Sequence, residues 1–335
     1  MKINPIYILC FVFFSFISCR KEDSNSFDGP SLNDLNGPFN IISSLNLDEE
    51  VDFESGEEIN FDVELSKNTL WEIEITGQTS GAIRTFSGTE RIINSTNTAW
   101  LGGSNTFPSF QQEKAIVKMS FPNEENSPII IDSVNIIGLK QDKGYVITDF
   151  ENGTDENWSF FNQSGVNASI NCNSDLSAKG SCFYKWEGTV SWDWAIGSFQ
   201  INANEDGFGL PANAGNLFFN MATKFISNTG PDNCFILLWF DEDDNGDGSF
   251  NLETEDRYIY EYWYENDKWN LASIKYDDLK YDGDGQPVET NGNGLLEPSK
   301  LIGINVFFLA NKDSGIKSEA LVDHIIFTEN EAYKP

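Results

Sequence analysis

Apolar and polar residues alternate along much of the chain with a period of two. The alternation is clear at 61–65 and at 70–75, and strands are also predicted at 115–121 and 129–139. Successive side chains of a strand point to opposite faces, so this period is typical of strands with one buried face. Turn residues separate the segments, and no segment has a sustained run of apolar residues at helical spacing. We therefore expect an all-β chain built from β-sandwiches.

The N-terminus has the pattern of an export signal. Lys2 precedes an apolar run from Ile6 to Ile17, which is shorter than the ~20 residues that a membrane-spanning helix needs. The run ends at Ser18-Cys19 and resembles the lipobox of bacterial lipoproteins. This resemblance implies a signal peptide at 1–18, lipidation of Cys19, and a membrane contact made through the lipid alone.

The residues after Cys19 are polar and resemble a tether. Arg20-Lys21-Glu22-Asp23 resembles the signal that sends lipoproteins of Bacteroidetes to the outer face of the outer membrane. Residues 19–38 as a whole are rich in Ser, Asn, Asp, Gly and Pro, as flexible linkers are. We expect an outer-membrane, lipid-anchored protein that is exposed at the cell surface.

Length and charge limit the possible organisation and partners. The chain of 335 residues exceeds the ~100–200 of a usual domain, so two cores are expected. It has 21 basic and 53 acidic residues, and loss of Lys2 with the signal peptide leaves a formal charge of −33. Such a charge repels phosphate backbones, so nucleic acid is excluded as a partner.

The cysteines predict one disulfide. Cys172 and Cys182 bracket a polar loop of an exported protein, where oxidation is permitted, so we expect them to be joined. Cys234 opens an apolar run and is interpreted as a core thiol.

Residues 39–140 resemble an immunoglobulin-like module of Bacteroidetes surface lipoproteins encoded beside glycan-uptake systems. The resemblance rests on ordered Trp and Gly positions, namely 71–77, 79–82, 86–88, 100–102 and 107–121. It implies a spacer that holds the next domain away from the membrane.

Residues 143–335 resemble a carbohydrate-binding jelly roll of the galactose-binding type. The matching segments, in order, are 146–153, 157–159, 179–184 and 320–327. The resemblance implies two packed antiparallel sheets and a structural Ca²⁺, with Glu151 and Asp323 at the positions that would bind it. The fold hosts many functions, so the function must be argued from a site.

Two groups of aromatic residues are candidate sugar platforms, because flat rings contact the C–H faces of sugars. The alternation predicts that each group shares one strand face. The candidates are Trp186, Trp192, Trp194, Tyr258, Tyr260, Tyr262 and Tyr264. Aromatic residues also fill sandwich cores, and the pattern does not say which face looks inward.

The acidic segment 241–248 resembles the opening of a calcium loop, in which oxygens at alternate positions converge on a hard cation. The candidate ligands are Asp241, Asp243, Asn245, Asp247 and Glu253. Leu252 occupies position twelve, so the segment departs from the EF-hand pattern. A second segment, 282–285, is either another such loop or a solvated turn.

These observations predict a non-catalytic, cell-surface protein that captures polysaccharide, with neutral glycans favoured by the charge, for an outer-membrane importer. One alternative is a structural or adhesive lipoprotein that binds a protein partner. Another is a glycosidase, since a catalytic carboxylate pair has no sequence spacing of its own. The only histidine, His324, lies in a predicted strand, which leaves little material for a Ser/His/Asp triad or a zinc site.

Overall fold

A computed structural model describes residues 37–191, 194–204, 207–227, 234–263, 267–279, 291–311 and 315–335. The predicted signal peptide, Cys19 and almost all of the predicted tether lie outside these residues. The described residues from Ile41 to Pro335 belong to one compact unit. None of the helices in the described segments is long and apolar enough to cross a membrane.

Almost all of the regular secondary structure in the described residues is β-strand. The first eight are β1 Ile41–Ser43, β2 Glu50–Asp52, β3 Val63–Leu65, β4 Trp71–Gly77, β5 Ile83–Gly88, β6 Ile92–Ile93, β7 Lys114–Ser120 and β8 Ile130–Gly138. The rest are β9 Tyr145–Thr148, β10 Trp158–Asn162, β11 Asn167–Cys172, β12 Cys182–Gly188, β13 Ala195–Asn202, β14 Leu217–Ser227, β15 Cys234–Glu242, β16 Arg257–Trp263, β17 Asn270–Lys275, β18 Leu301–Ala310 and β19 Ser318–Glu329. One short helix, α1, spans Ser95–Thr98, and three 3₁₀ turns lie at Ala214–Asn216, Tyr276–Asp278 and Pro298–Lys300. The prediction of an all-β chain is confirmed.

The N-terminal strands form two sheets, one with the order β1-β3-β6 and one with the order β2-β8-β7-β4-β5. β4 shows why its sequence is a strand: Trp71, Ile73 and Ile75 are fully buried, and the glutamates between them are exposed. β2 runs parallel to β8, whereas the other pairings are antiparallel. The predicted strands of this segment are confirmed, and its immunoglobulin-like identity stays a prediction.

The C-terminal strands form a sandwich of two sheets. The five-stranded sheet has the order β10-β13-β18-β15-β16, and the six-stranded sheet has the order β11-β12-β19-β14-β17, with β9 paired to β19. Phe199, Phe225, Phe240 and Phe308 are among the fully buried side chains of the core between them. Among the described strands, no sheet mixes residues 41–138 with residues 145–329. The domain boundaries predicted near 140 remain a prediction.

The predicted disulfide is present. Cys172 ends β11 and Cys182 begins β12, and the two residues face each other in the strand register. Cys234 is fully buried in the core, as its apolar run predicts.

The outer face of the six-stranded sheet is covered by the N-terminal segment. Phe107 stacks on Tyr333 with 5.9 Å between ring centroids. It belongs to a buried cluster that includes Phe183, Leu321 and Ile326 of that sheet. The outer face of the five-stranded sheet is therefore the candidate surface for a ligand.

Candidate functional site

The outward-facing residues of the five-stranded sheet follow from its alternation. In β15, Ile236, Leu238 and Phe240 belong to the core, so the residues between them face outward. In β18, Val306 and Phe308 belong to the core, so Asn305, Phe307 and Leu309 face outward. We call the resulting surface the outer face.

Three rows of outward side chains cross the outer face in the order β13, β18, β15, β16. The first row is Gln200, Asn305, Trp239 and Ile259; the second is Ser198, Phe307, Leu237 and Glu261; the third is Asn202, Gly303, Asp241 and Arg257. Aromatic rings and amide groups therefore stand side by side on one open surface.

An aromatic pair lies near the middle of the outer face. The rings of Trp239 and Phe307 are 4.4 Å apart between centroids, and both side chains are half-buried. A second pair lies toward the edge strand, where Phe235 and the exposed Trp263 stack at 4.4 Å. These rings offer apolar platforms of the size of a sugar ring.

A charged pair adjoins the aromatic pair. The guanidinium of Arg257 lies 4.3 Å from the ring centroid of Trp239 and 4.5 Å from that of Phe250. It donates two hydrogen bonds to the buried Asp241, one of them 2.9 Å from Nη2 to Oδ2, and Asn305 Nδ2 donates a third over 3.1 Å. Burial raises the pKa of the Asp241 carboxyl, and the bonds from Arg257 and Asn305 oppose that rise.

A cleft of about 820 Å³ opens at this end of the outer face. One wall consists of sheet residues, including Gln200, Asn202 and Arg257. The other wall is formed by Gly246 to Phe250, which belong to the segment 243–255 that we call the acidic loop. Gln200 Nε2 donates to Asn202 Oδ1 over 2.6 Å, and Asn202 Nδ2 donates to the Asn157 carbonyl over 3.0 Å. The cleft is therefore lined by oriented amides, which suit hydroxyl groups.

Most of the predicted aromatic platforms do not lie on the outer face. Trp186 is fully buried and Tyr258 nearly so, and both belong to the sandwich core, so their predicted roles in ligand binding are wrong. Tyr260 and Tyr262 are partly buried and pack against the same core. The tyrosine stripe faces inward because the opposite face of β16 carries Arg257.

Trp194, the described one of the two tryptophans predicted after β12, is not part of a strand. β12 ends at Gly188 and β13 begins at Ala195, so Trp194 lies before a strand, where it is 37% exposed. Trp192 and Tyr264 lie outside the described residues. The platform residues that sequence reasoning missed include Trp239 and Phe307. Their strands are apolar on both faces, so no period of two was visible.

The acidic loop brings together three acids, and two of them, Asp243 and Asp247, are among the predicted ligands. Oxygens of Asp243, Asp247 and Glu255 lie within 4.8 Å of one another. Asp241 is instead paired with Arg257, and Glu253 is exposed, so neither belongs to this group. Calcium binding by this loop stays a prediction.

Backbone N–H groups of this loop donate hydrogen bonds to Asp243. Asp243 accepts from the backbone N–H groups of Gly246 and Gly248, each over 2.7 Å. Both glycines have positive φ, which only glycine adopts without strain. Burial acts to raise the pKa of Asp243, but the Gly248 and Gly246 donors outweigh it and the pKa is lowered. Asn245 is exposed, and its Oδ1 accepts from Asp247 N–H over 2.8 Å.

The acids Glu151 and Asp323 both hold the backbone of one loop. Glu151 Oε1 accepts from the N–H groups of Ser181 and Cys182 over 2.6 and 2.7 Å. Asp323 Oδ2 accepts from Ala178 N–H over 2.9 Å, and burial raises the pKa of Asp323 well above its usual value. A calcium ion at these two acids stays a prediction.

No family model and no curated protein matches the chain. Solved structures are similar to it at low identity. One is the family 11 carbohydrate-binding module from Clostridium thermocellum in complex with a β-1,3-1,4-mixed-linked tetrasaccharide (18% identity, TM-score 0.36, 58% of this chain and 100% of that chain). Another is the surface glycan-binding protein PbSGBP-B from Prevotella bryantii (13%, 0.37, 87% and 77%). A third is SGBP-B from a complex xyloglucan utilization locus in Bacteroides uniformis (8%, 0.35, 87% and 73%). Likenesses at this level do not identify a function.

Proposed function

We propose that the protein is a non-catalytic glycan-binding protein that holds a polysaccharide on the outer face. The observation that carries the proposal is the aromatic pair Trp239 and Phe307 beside the amides of Gln200, Asn202 and Asn305. A sugar has apolar C–H patches on its ring faces and hydroxyl groups around its rim. Rings and oriented amides on one open surface match both features.

The shape of the site favours a chain over a single sugar. The three rows cross four strands, which lie ~4.8 Å apart, so the outer face is longer than one sugar ring. The cleft continues that surface at one end. A polysaccharide lying along the rows would contact both the aromatic pair and the cleft.

The charge of the protein favours a neutral glycan. The chain has 53 acidic and 21 basic residues, and the cleft is walled on one side by the acidic loop. An anionic chain would be repelled over a Debye length that grows from ~8 Å at physiological salt to ~30 Å at 0.01 M. Neutral polymers such as β-glucan, xylan or mannan experience no such repulsion.

The absence of catalysis is part of the proposal, and one acid supports it. Burial raises the pKa of Glu242 to about 8, the value of a general acid at neutral pH. Yet Glu242 is fully buried, where its Oε1 accepts from Tyr276 OH over 2.7 Å and from Glu297 N–H over 2.9 Å. An acid sealed in this way cannot protonate a glycosidic oxygen of a bound chain.

The location is proposed from the N-terminal sequence. Lipid on Cys19 would tether the protein to the outer membrane, and the tether would let the outer face reach soluble polysaccharide. Capture beside an outer-membrane glycan importer is the role that this arrangement would serve.

Electrophoresis in gels containing β-glucan, xylan, mannan, alginate or pectin tests the proposal. We expect retardation by at least one neutral polymer, with little change between low and high salt. Incubation with the retained polymer should release no reducing sugar over hours. Retention by none of the neutral polymers, or release of reducing ends, would overturn it.

A further inference from the structure

The acid cluster beside the cleft contains a buried oxygen without a hydrogen-bond partner in the described part of the chain. Asp243, Asp247 and Glu255 each place a carboxylate oxygen within 4.8 Å of the other two. Glu255 is only 1% exposed, and its Oε2 accepts from Asn251 N–H over 2.6 Å. Its Oε1 is buried and has no hydrogen-bond partner among the described residues.

This arrangement is unfavourable without a positive charge. A buried carboxylate oxygen that lacks a donor loses its hydration and receives nothing in return. Three carboxylates at this spacing also repel one another. The nearest described guanidinium of the cleft, that of Arg257, is already bonded to Asp241. A cation bound among the three acids would remove both costs.

The chemistry of the group selects a hard cation. All three side chains offer oxygen, and the described residues contribute no histidine or cysteine to the group. Oxygen ligands from a glycine-containing loop suit Ca²⁺, which tolerates irregular coordination, better than Mg²⁺, which requires a near-ideal octahedron.

We propose that Asp243, Asp247 and Glu255 bind one Ca²⁺ ion, and that this ion fixes the loop wall of the cleft. The loop carries Phe250, whose ring covers the guanidinium of Arg257. Ordering the loop therefore orders the charged pair next to Trp239. The second half of the inference, that calcium strengthens glycan binding, rests on the proposed function; the first half does not.

Calcium binding to the full chain, stripped of metal, tests the ion itself. Glu255→Gln should lose one equivalent of bound Ca²⁺ in equilibrium dialysis. The matched control is Glu253→Gln, which removes an exposed acid of the same loop and should bind as much Ca²⁺ as the wild type. Equal stoichiometry in both variants would overturn the site.

Thermal unfolding distinguishes loss of the ion from loss of the fold. In chelator, Glu255→Gln should melt at or above the wild-type Tm, because a repulsive charge has been removed. In Ca²⁺, the wild type and Glu253→Gln should melt higher than in chelator by the same amount, since an ion that binds only the native state stabilises it. Glu255→Gln should show a smaller rise. If it does not fold, Asp247→Asn, at an exposed position, provides the same comparison.

Glycan retention with and without calcium tests the link to the cleft. Calcium should tighten retention of the wild type several-fold and leave Glu255→Gln unchanged. If the retention of the wild type is the same with and without calcium, the proposed role of the ion in the cleft is wrong. If no glycan is retained while Glu255→Gln still loses one equivalent of Ca²⁺, the proposed function fails and the metal site stands.

Discussion

Removal of Arg257 should destabilise the fold through the acid it leaves behind. Asp241 is 1% exposed and has Arg257 as its charged partner, so Arg257→Met leaves a buried carboxylate with the Asn305 bond as its remaining side-chain contact. Breaking a buried ion pair by removing one partner typically costs ~3–5 kcal/mol.

The lower end of that range applies here. The Arg257 side chain is 18% exposed, so water can reach the Asp241 carboxylate once the guanidinium is gone. The methionine retains contact with Trp239 and Phe250, which offsets part of the lost cation–π attraction of ~0.5–1 kcal/mol. We expect a loss of about 3 kcal/mol, which corresponds to a fall in Tm of roughly 6–10 °C.

A double-mutant cycle isolates the charge. Calorimetric unfolding at pH 7 would be measured for the wild type, Arg257→Met, Asp241→Asn and the double variant. The double variant should be more stable than Arg257→Met, because its buried group is neutral. A loss below ~1 kcal/mol in Arg257→Met, or a double variant no more stable than that single one, would refute the reasoning.

Three further predictions concern other parts of the chain. Replacing Cys172 and Cys182 by serine should cost about 2–3 kcal/mol, since the bridge closes a short loop, and calorimetry with and without reductant would show it; an unchanged Tm would contradict this. The pKa of Glu187 is lowered to about 2, and the hydrogen bond from Lys185 is the largest cause. The Glu187 carboxylate therefore stabilises the fold fully above its unfolded pKa near 4.5. This contribution is lost as the pH falls through about 2. Glu187→Gln should therefore lower Tm slightly at pH 7, by the equivalent of less than ~1 kcal/mol for this surface network, and the difference should shrink below pH ~4.5; a difference that does not change with pH would count against it. Cys19→Ala should abolish lipidation and release the protein from membranes, as labelling with a radioactive fatty acid would report; label that persists in the variant would disprove the anchor.

Much of the fold could be predicted from local pattern, because several strands with one solvated face show the period of two. β4 is an example, with glutamates between its buried Trp71, Ile73 and Ile75. The disulfide could also be predicted, because its two cysteines flank one short loop. Both features depend on residues close together in the sequence.

The outer face could not be predicted in this way. β15 reads as a core strand because Leu237 and Trp239 are apolar although they face outward. Trp239 and Phe307 meet only because β15 and β18 are neighbours, which is a fact of topology rather than of spacing. Asp243 and Asp247 of the acidic group are among the residues predicted from the sequence, whereas Glu255 lies outside the run of alternate acidic positions and is brought to them by the fold.

Isothermal titration with oligosaccharides of β-glucan, xylan and mannan tests the central claim, that the outer face binds glycan. Trp239→Ala should weaken binding by ~1–3 kcal/mol, or about 5- to 150-fold, as expected for removal of a well-packed contact. The matched control is Phe160→Ala, which removes an exposed ring from the core-facing side of β10 and should bind as the wild type does. Unchanged affinity in a folded Trp239→Ala protein, or a loss confined to Phe160→Ala, would place the glycan elsewhere and contradict the account.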